Sequence, residues 1–188
     1  MTMADGLRVQ RIFLGLGAGA AVLMAMFAVA WFCPTRLTGS LDQLAVLTIQ
    51  AEDLGGFPSC LLSLASLTAL SLNIGPMTLP AQLVQLRALT QLTVHRCGMT
   101  DVPPVIGELA GLIELALPYN DLLTLPDFLV QLTHLRRLDL RMNNLREVPA
   151  VLSRMPWLEE LDLSDNPLPK KVRKRFDQLL PGCRVKFT

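Results

Sequence analysis

The chain has 188 residues, 51% hydrophobic, 18% charged and 5% aromatic, with a formal net charge of +1. Leucine alone occurs 40 times. So much apolar surface excludes a disordered or low-complexity chain, and the near-zero net charge gives no bulk attraction to nucleic acid.

Residues 1–11 are a short tail with Arg8 and Arg11 near its end. Residues 12–33 read IFLGLGAGAAVLMAMFAVAWFC, 22 positions without a charge. About 20 apolar residues span a bilayer as a helix, which satisfies its own backbone groups. The run therefore predicts a transmembrane helix acting as an uncleaved signal-anchor. Two arginines before it and Arg36 after it favour a cytoplasmic N-terminus, with the rest of the chain extracytoplasmic. Gly15 and Gly19 form a GxxxG, which reads first as lipid-facing filler, since Gly and Ala are common in any span, and alternatively as a face through which two such helices pack as a homodimer. The competing reading is a signal peptide cut after Ala30, because Ala28-Val29-Ala30 is an A-x-A site. The apolar run ahead of that site exceeds the usual h-region of about 7–15 residues, and cleavage would leave a bulky Trp31 at the new terminus. A third reading makes the helix the functional part, assembling a membrane subunit whose repeats are structural.

After a linker over 34–43 the sequence repeats itself. Units begin at Leu44, Leu67, Leu89, Leu112, Leu135 and Leu158, at intervals of 23, 22, 23, 23 and 23 residues. In the cleanest unit the fixed positions are Leu112, Leu115, Leu117, Asn120, Leu122, Leu125-Pro126, Leu129 and Leu132. Leu135, Leu138, Leu140, Asn143, Leu145, Val148-Pro149, Leu152 and Met155 repeat them. The unit from Leu89 keeps the pattern with Cys97 in place of Asn, whereas Glu52 and Gly75 break it in the first two units.

This pattern resembles the leucine-rich repeat family in its 23-residue form, over residues 44–169. The resemblance implies an α/β leucine-rich-repeat solenoid. Short parallel strands would line a concave face and loops or short helical turns a convex one, with the transmembrane helix in front. Positions 4 and 6 alternate to one side of each strand and are apolar, so that side is buried. No unit buries its apolar face alone, and stacking makes one continuous core. The resemblance also implies that Asn120, Asn143 and Asn166 bond backbone groups of adjoining turns.

Residues 170–188 resemble a C-terminal cap. Val172, Phe176, Leu179 and Leu180 share one helix face, Pro181-Gly182 stops the helix, and Val185 and Phe187 alternate as in a last strand. The run Lys170, Lys171, Arg173, Lys174, Arg175 reads as the solvated side of that helix.

Nothing in the sequence assembles a catalytic set. His95 and His134 occupy different repeat positions, and there is no glycine loop for phosphate outside the apolar run. Cys33, Cys60, Cys97 and Cys183 lack metal-ligand spacing. Free thiols are the default reading, and in an oxidising compartment Cys33 and Cys60 are the alternative pair for a disulfide. The expectation is a non-enzyme without cofactor or metal.

Specificity then falls to the variable strand positions 5, 7 and 8, which in this family point out of the concave sheet. The middle units bring His95, Arg96, Tyr119, Arg141 and Met142 together, with Glu114 and Arg137 beside them. Arg, Tyr and Met are enriched at protein interfaces. The patch is therefore the expected site for a protein ligand.

Overall fold

The computed structural model describes residues 9–16, 44–51, 57–172, 176 and 178–187. Among the described residues eight strands form one sheet in chain order: β1 (Val9–Leu16), β2 (Leu44–Ala51), β3 (Ala69–Asn73), β4 (Gln91–Val94), β5 (Glu114–Ala116), β6 (Arg137–Asp139), β7 (Glu160–Asp162) and β8 (Arg184–Lys186). The seven from β2 onward are parallel, each paired with the next. Leu70, Leu92, Leu115, Leu138 and Leu161 stand in register, one repeat apart.

The period of two inside each strand decides the core. Leu47 and Ile49, Leu70 and Leu72, Leu92 and Val94, Leu115 and Leu117, Leu138 and Leu140, and Leu161 and Leu163 are all buried. The returning limbs supply the opposite wall. Each of the first five limbs carries a 3-10 turn: Ser59–Ser63, Ala81–Gln85, Pro104–Glu108, Asp127–Gln131 and Ala150–Arg154. A proline precedes each turn, from Pro58 to Pro149, in extended conformation with its ring fixing φ. Its carbonyl accepts the first turn bond, as from Ile106 at 3.0 Å and Leu152 at 3.1 Å. Neighbouring turns pack closely. A Cβ on Gly107 would lie 2.6 Å from Cδ2 of Phe128, so only glycine lets that ring cover the turn.

Asparagine closes the other corner in the units from Leu112, Leu135 and Leu158. Asn120 Nδ2 donates to the carbonyls of Val94 (2.9 Å) and Leu117 (3.1 Å), and its Oδ1 accepts from the Cys97 amide at 3.0 Å. Asn143 and Asn166 repeat this one and two units on. Cys97 takes the same place with a thiol, 3.4 Å from the His95 carbonyl. In the second unit Gly75, at the asparagine position, turns the chain with φ 78°.

The C-terminal end is closed by Phe176 and Leu180, both buried, with Phe187 edge-on to Phe176 at 5.3 Å. A short 3-10 turn, Lys170–Val172, leads into this segment, and β8 then pairs with β7.

The N-terminal end departs from the sequence expectation. Ile12–Leu16, the first five residues of the expected transmembrane helix, belong to β1, which runs antiparallel to β2. The reason is the open edge of β2, whose backbone donors and acceptors need partners. Gly15 stands opposite Val46, so the GxxxG helix face is not formed at that residue. Residues 17–33, with Gly19 and the rest of the predicted span, lie outside the described residues, as do the linker 34–43 and Arg173–Arg175. Among the described residues no helix is long and apolar enough to cross a membrane.

Candidate concave surface and rim groove

The strand positions on the side away from the core form ladders across the sheet. At position 3, Glu114, Arg137, Glu160 and Arg184 stand opposite one another in turn. Arg137 Nη2 lies 2.6 Å and Nε 3.0 Å from Glu114 Oε2, and Arg184 Nη1 lies 2.8 Å from Glu160 Oε1. The hydrogen bond and charge of Glu114 raise the already high pKa of Arg137. All four groups face solvent, so these pairs fix side-chain direction more than they add stability.

At position 5, Asp139 is followed in register by Asp162. Burial pushes the Asp139 carboxyl above its ordinary value, and Asp162 pushes the same way. The Arg141 amide and guanidinium pull it back. Both Arg141 contacts are local: its N–H donates to Asp139 Oδ1 at 3.0 Å, and its Nε lies 3.2 Å from Oδ2. The neighbouring positions are not free for a ligand. Ala116 is buried, and so is Pro118, although the sequence places both on the outer face. Ile74, expected outside at position 8, is buried at 1% exposure because the second unit turns one residue later, at Gly75.

Position 8 holds the clearest departure. Arg96, Tyr119, Met142 and Asp165 all have φ between 55° and 57°. This left-handed conformation turns the chain off each strand toward the buried asparagine. It carries Arg96, Tyr119 and Met142 off the concave face and onto its rim. There Arg96 Cζ sits 5.0 Å from the centroid of the Tyr119 ring, a cation–π contact. His95 meets the same ring edge-on, with centroids 4.7 Å apart. Met142 and Asp165 continue the row. Together with Asp121 and Asn144 from position 10 they line a groove of about 420 Å³, floored by Asn120 and Asn143.

Of the seven expected site residues, Glu114 and Arg137 form one pair, Arg141 sits on Asp139, and His95, Arg96 and Tyr119 form one cluster beside Met142. They split between a sheet face and a rim. Asp139, Asp121, Asn144 and Asp165 were not among them. The signal for Asp121 and Asn144 is their shared place one residue after the repeat asparagine.

Burial lowers the His95 pKa below its ordinary 6.5, and the charges of Arg96 and then Arg141 lower it further. The folded chain therefore binds this proton more weakly than the unfolded chain. The stability linked to His95 is complete above 6.5 and is lost as pH falls through the lowered value. In an NMR titration His95 is expected to show a midpoint below 6.5. Arg96→Ala should move it upward more than Arg141→Ala does. A wild-type midpoint at or above the ordinary value would contradict this electrostatic picture.

Burial raises the pKa of Cys97, and burial with Glu160 pushes Cys183 to about 11. Both are free thiols. Cys33 lies outside the described residues, which leaves its pairing with Cys60 as an expectation. Among the described residues no three His, Cys, Asp or Glu side chains group as a metal site.

Residues 110–168 match the family model described as leucine rich repeat. No curated protein matches the chain. A leucine-rich-repeat protein of Leptospira interrogans is similar in structure, with 34% identity and TM-score 0.68 over 78% of this chain and 38% of that one. The ectodomain of the Arabidopsis receptor kinase HAESA, solved with a peptide hormone ligand, is 27% identical with TM-score 0.52, over 67% and 22% of the two chains. An internalin of Listeria monocytogenes, 19% identical with TM-score 0.51 over 78% and 50%, shares the fold. The chain thus spans well under two thirds of the length of each of these proteins. The match over 110–168 and the likeness of these solved repeat proteins support placing the chain in the leucine-rich repeat family.

Proposed function

We propose that the protein is a membrane-anchored, non-catalytic binding module whose concave sheet face holds a protein ligand. The observation that carries this reading is the outer face of β5 and β6. It presents the Glu114–Arg137 pair and the Asp139–Arg141 pair side by side, with His95 at its edge. Strands lie about 4.8 Å apart, so these groups make a fixed array that a complementary protein surface can match without reordering long side chains. The HAESA structure, with its peptide hormone, supports binding as the use of such a scaffold. Anchoring is supported by the uncharged run in residues 12–33; a single crossing there puts residues 1–11 and β2 on opposite sides of the bilayer, so in the anchored chain Ile12–Leu16 belong to the span instead of pairing with β2. Its 22 residues are enough to cross a bilayer as a helix, for which about 17–25 are needed. The arginine distribution favours a repeat domain outside the cytoplasm.

The test is cross-linking on native membranes with the full chain, followed by recovery of the bound protein. Arg141→Ala and Arg137→Ala are each expected to reduce recovery at least fivefold while the chain stays in the membrane fraction. Recovery equal to wild type in both variants would remove the concave face as the site. Trp31 detected as the mature N-terminus would overturn the anchor in favour of a secreted protein.

A further inference from the structure

The rim groove is separate from the concave face and has its own chemistry. Its long wall is the position-8 row, which begins with a cation at Arg96, passes an aromatic and a thioether, and ends with the Asp165 carboxylate. Tyr119 and Met142, in the middle, are 37% and 39% exposed. The facing wall adds a second carboxylate, Asp121, whose Oδ1 accepts from Asn144 Nδ2 at 3.2 Å. The groove is thus positive at the Arg96 end and negative at the Asp165 end, with Tyr119, Met142 and the Asn144-bonded carboxylate of Asp121 between them.

The walls are also held open. Arg96 covers one side of the Tyr119 ring and His95 abuts it edge-on, while the floor amides are locked into backbone bonds. The left-handed turn is one that glycine serves in the second unit, at Gly75. Arg96, Tyr119 and Met142 adopt it despite the steric strain of a Cβ there, and three large side chains thereby line one groove.

We propose that this groove binds an extended peptide segment of a partner protein that presents an acidic, an apolar and a basic side chain at alternate positions. Arg96 and Asp165 are three repeats apart, about 14 Å at about 4.8 Å per strand. An extended chain advances about 3.3 Å per residue, so side chains at i and i+4 are about 13 Å apart and on the same side. The acidic residue at i meets the Arg96 guanidinium, whose fork suits a carboxylate. The apolar residue at i+2 lies over Tyr119 and Met142. The basic residue at i+4 reaches Asp165.

The chain contains a single tyrosine, so 3-fluorotyrosine labelling of the full protein gives one 19F resonance, located in the groove. The probe is the end-blocked peptide Gly-Glu-Ser-Leu-Ser-Lys-Gly, compared with versions carrying two glutamates or two lysines at the charged positions. The mixed peptide is expected to shift the resonance saturably, with at least fivefold weaker binding of both single-sign peptides. Arg96→Gln should weaken the mixed peptide, and Arg96→Glu should reverse the preference in favour of the two-lysine peptide. Arg141→Ala, on the concave face, should leave the affinity within twofold. Equal binding of the three peptides, no shift, or no reversal in Arg96→Glu would overturn the proposal. A loss in Arg141→Ala as large as in Arg96→Gln would place the peptide on the sheet face and overturn the groove while leaving the concave-face reading standing.

Discussion

Phe176→Ala is expected to lower the free energy of unfolding by about 3–5 kcal/mol, the cost of emptying a fully packed aromatic site. Phe176 is 1% exposed, touches Phe187 and lies with Leu180 over the last unit. Its loss reaches further than a cavity. The segment it anchors carries β8, whose Arg184 amide donates to the Glu159 carbonyl at 2.7 Å and whose Lys186 carbonyl accepts from Leu163 at 3.0 Å. In a solenoid each unit is stabilised mainly by its neighbours, so an opened end frays inward. Hydrogen exchange should therefore lose protection first at β7 and last at β4, while urea denaturation records the total. Phe176→Leu, which refills most of the space, should recover more than half of the loss. A stability within about 1 kcal/mol of wild type for the alanine variant would show that the cap does not hold the end.

Asn143→Ala should cost about 3 kcal/mol, because removing one partner strands buried polar groups at about 1–3 kcal/mol each. Asn143 is 4% exposed. Its Oδ1 accepts from the Leu122 amide at 3.1 Å, and its Nδ2 donates to the carbonyls of Leu117 (2.9 Å) and Leu140 (3.0 Å). One side chain thus ties its own unit to the one before it. Asn143→Asp is the sharper variant, since a carboxylate still accepts from Leu122 but has no proton for the two carbonyls. It should be as damaging as alanine. The adjacent Asn144→Ala, on the exposed side, should change stability by no more than about 0.5 kcal/mol. Thermal and urea unfolding of the three variants separate these outcomes, and a neutral Asn143→Asp would refute the bonding scheme.

The buried architecture was legible because the repeat makes each position report six times. Leu at positions 4 and 6 and Asn at position 9 identify the core and the corner without any knowledge of the strands. The site was legible only in composition. Nothing in the residue types Arg96, Tyr119 or Met142 announces a positive φ, which disfavours large side chains. These three therefore read as sheet-face residues and are found on the rim. Pro118 and Ala116 read as outward positions, yet both are buried, which the period of two does not signal. The stretch Ile12–Leu16 read as the start of a helix because a continuous apolar run has no period to separate helix from strand. Its partner, the edge of β2, lies some thirty residues away in sequence and carries no local signal.

The alternation of Glu114, Arg137, Glu160 and Arg184 along one ladder bears on how the chain assembles in the right order. Near-identical units can stack in the wrong sequence, a characteristic failure of repeat proteins. Here a stack that skipped one unit would set Glu114 against Glu160, or Arg137 against Arg184. Like charges directly opposite on neighbouring strands are destabilising. The leucines would accept such a slip without penalty, so the row of alternating signs checks the order of the repeats where the core cannot.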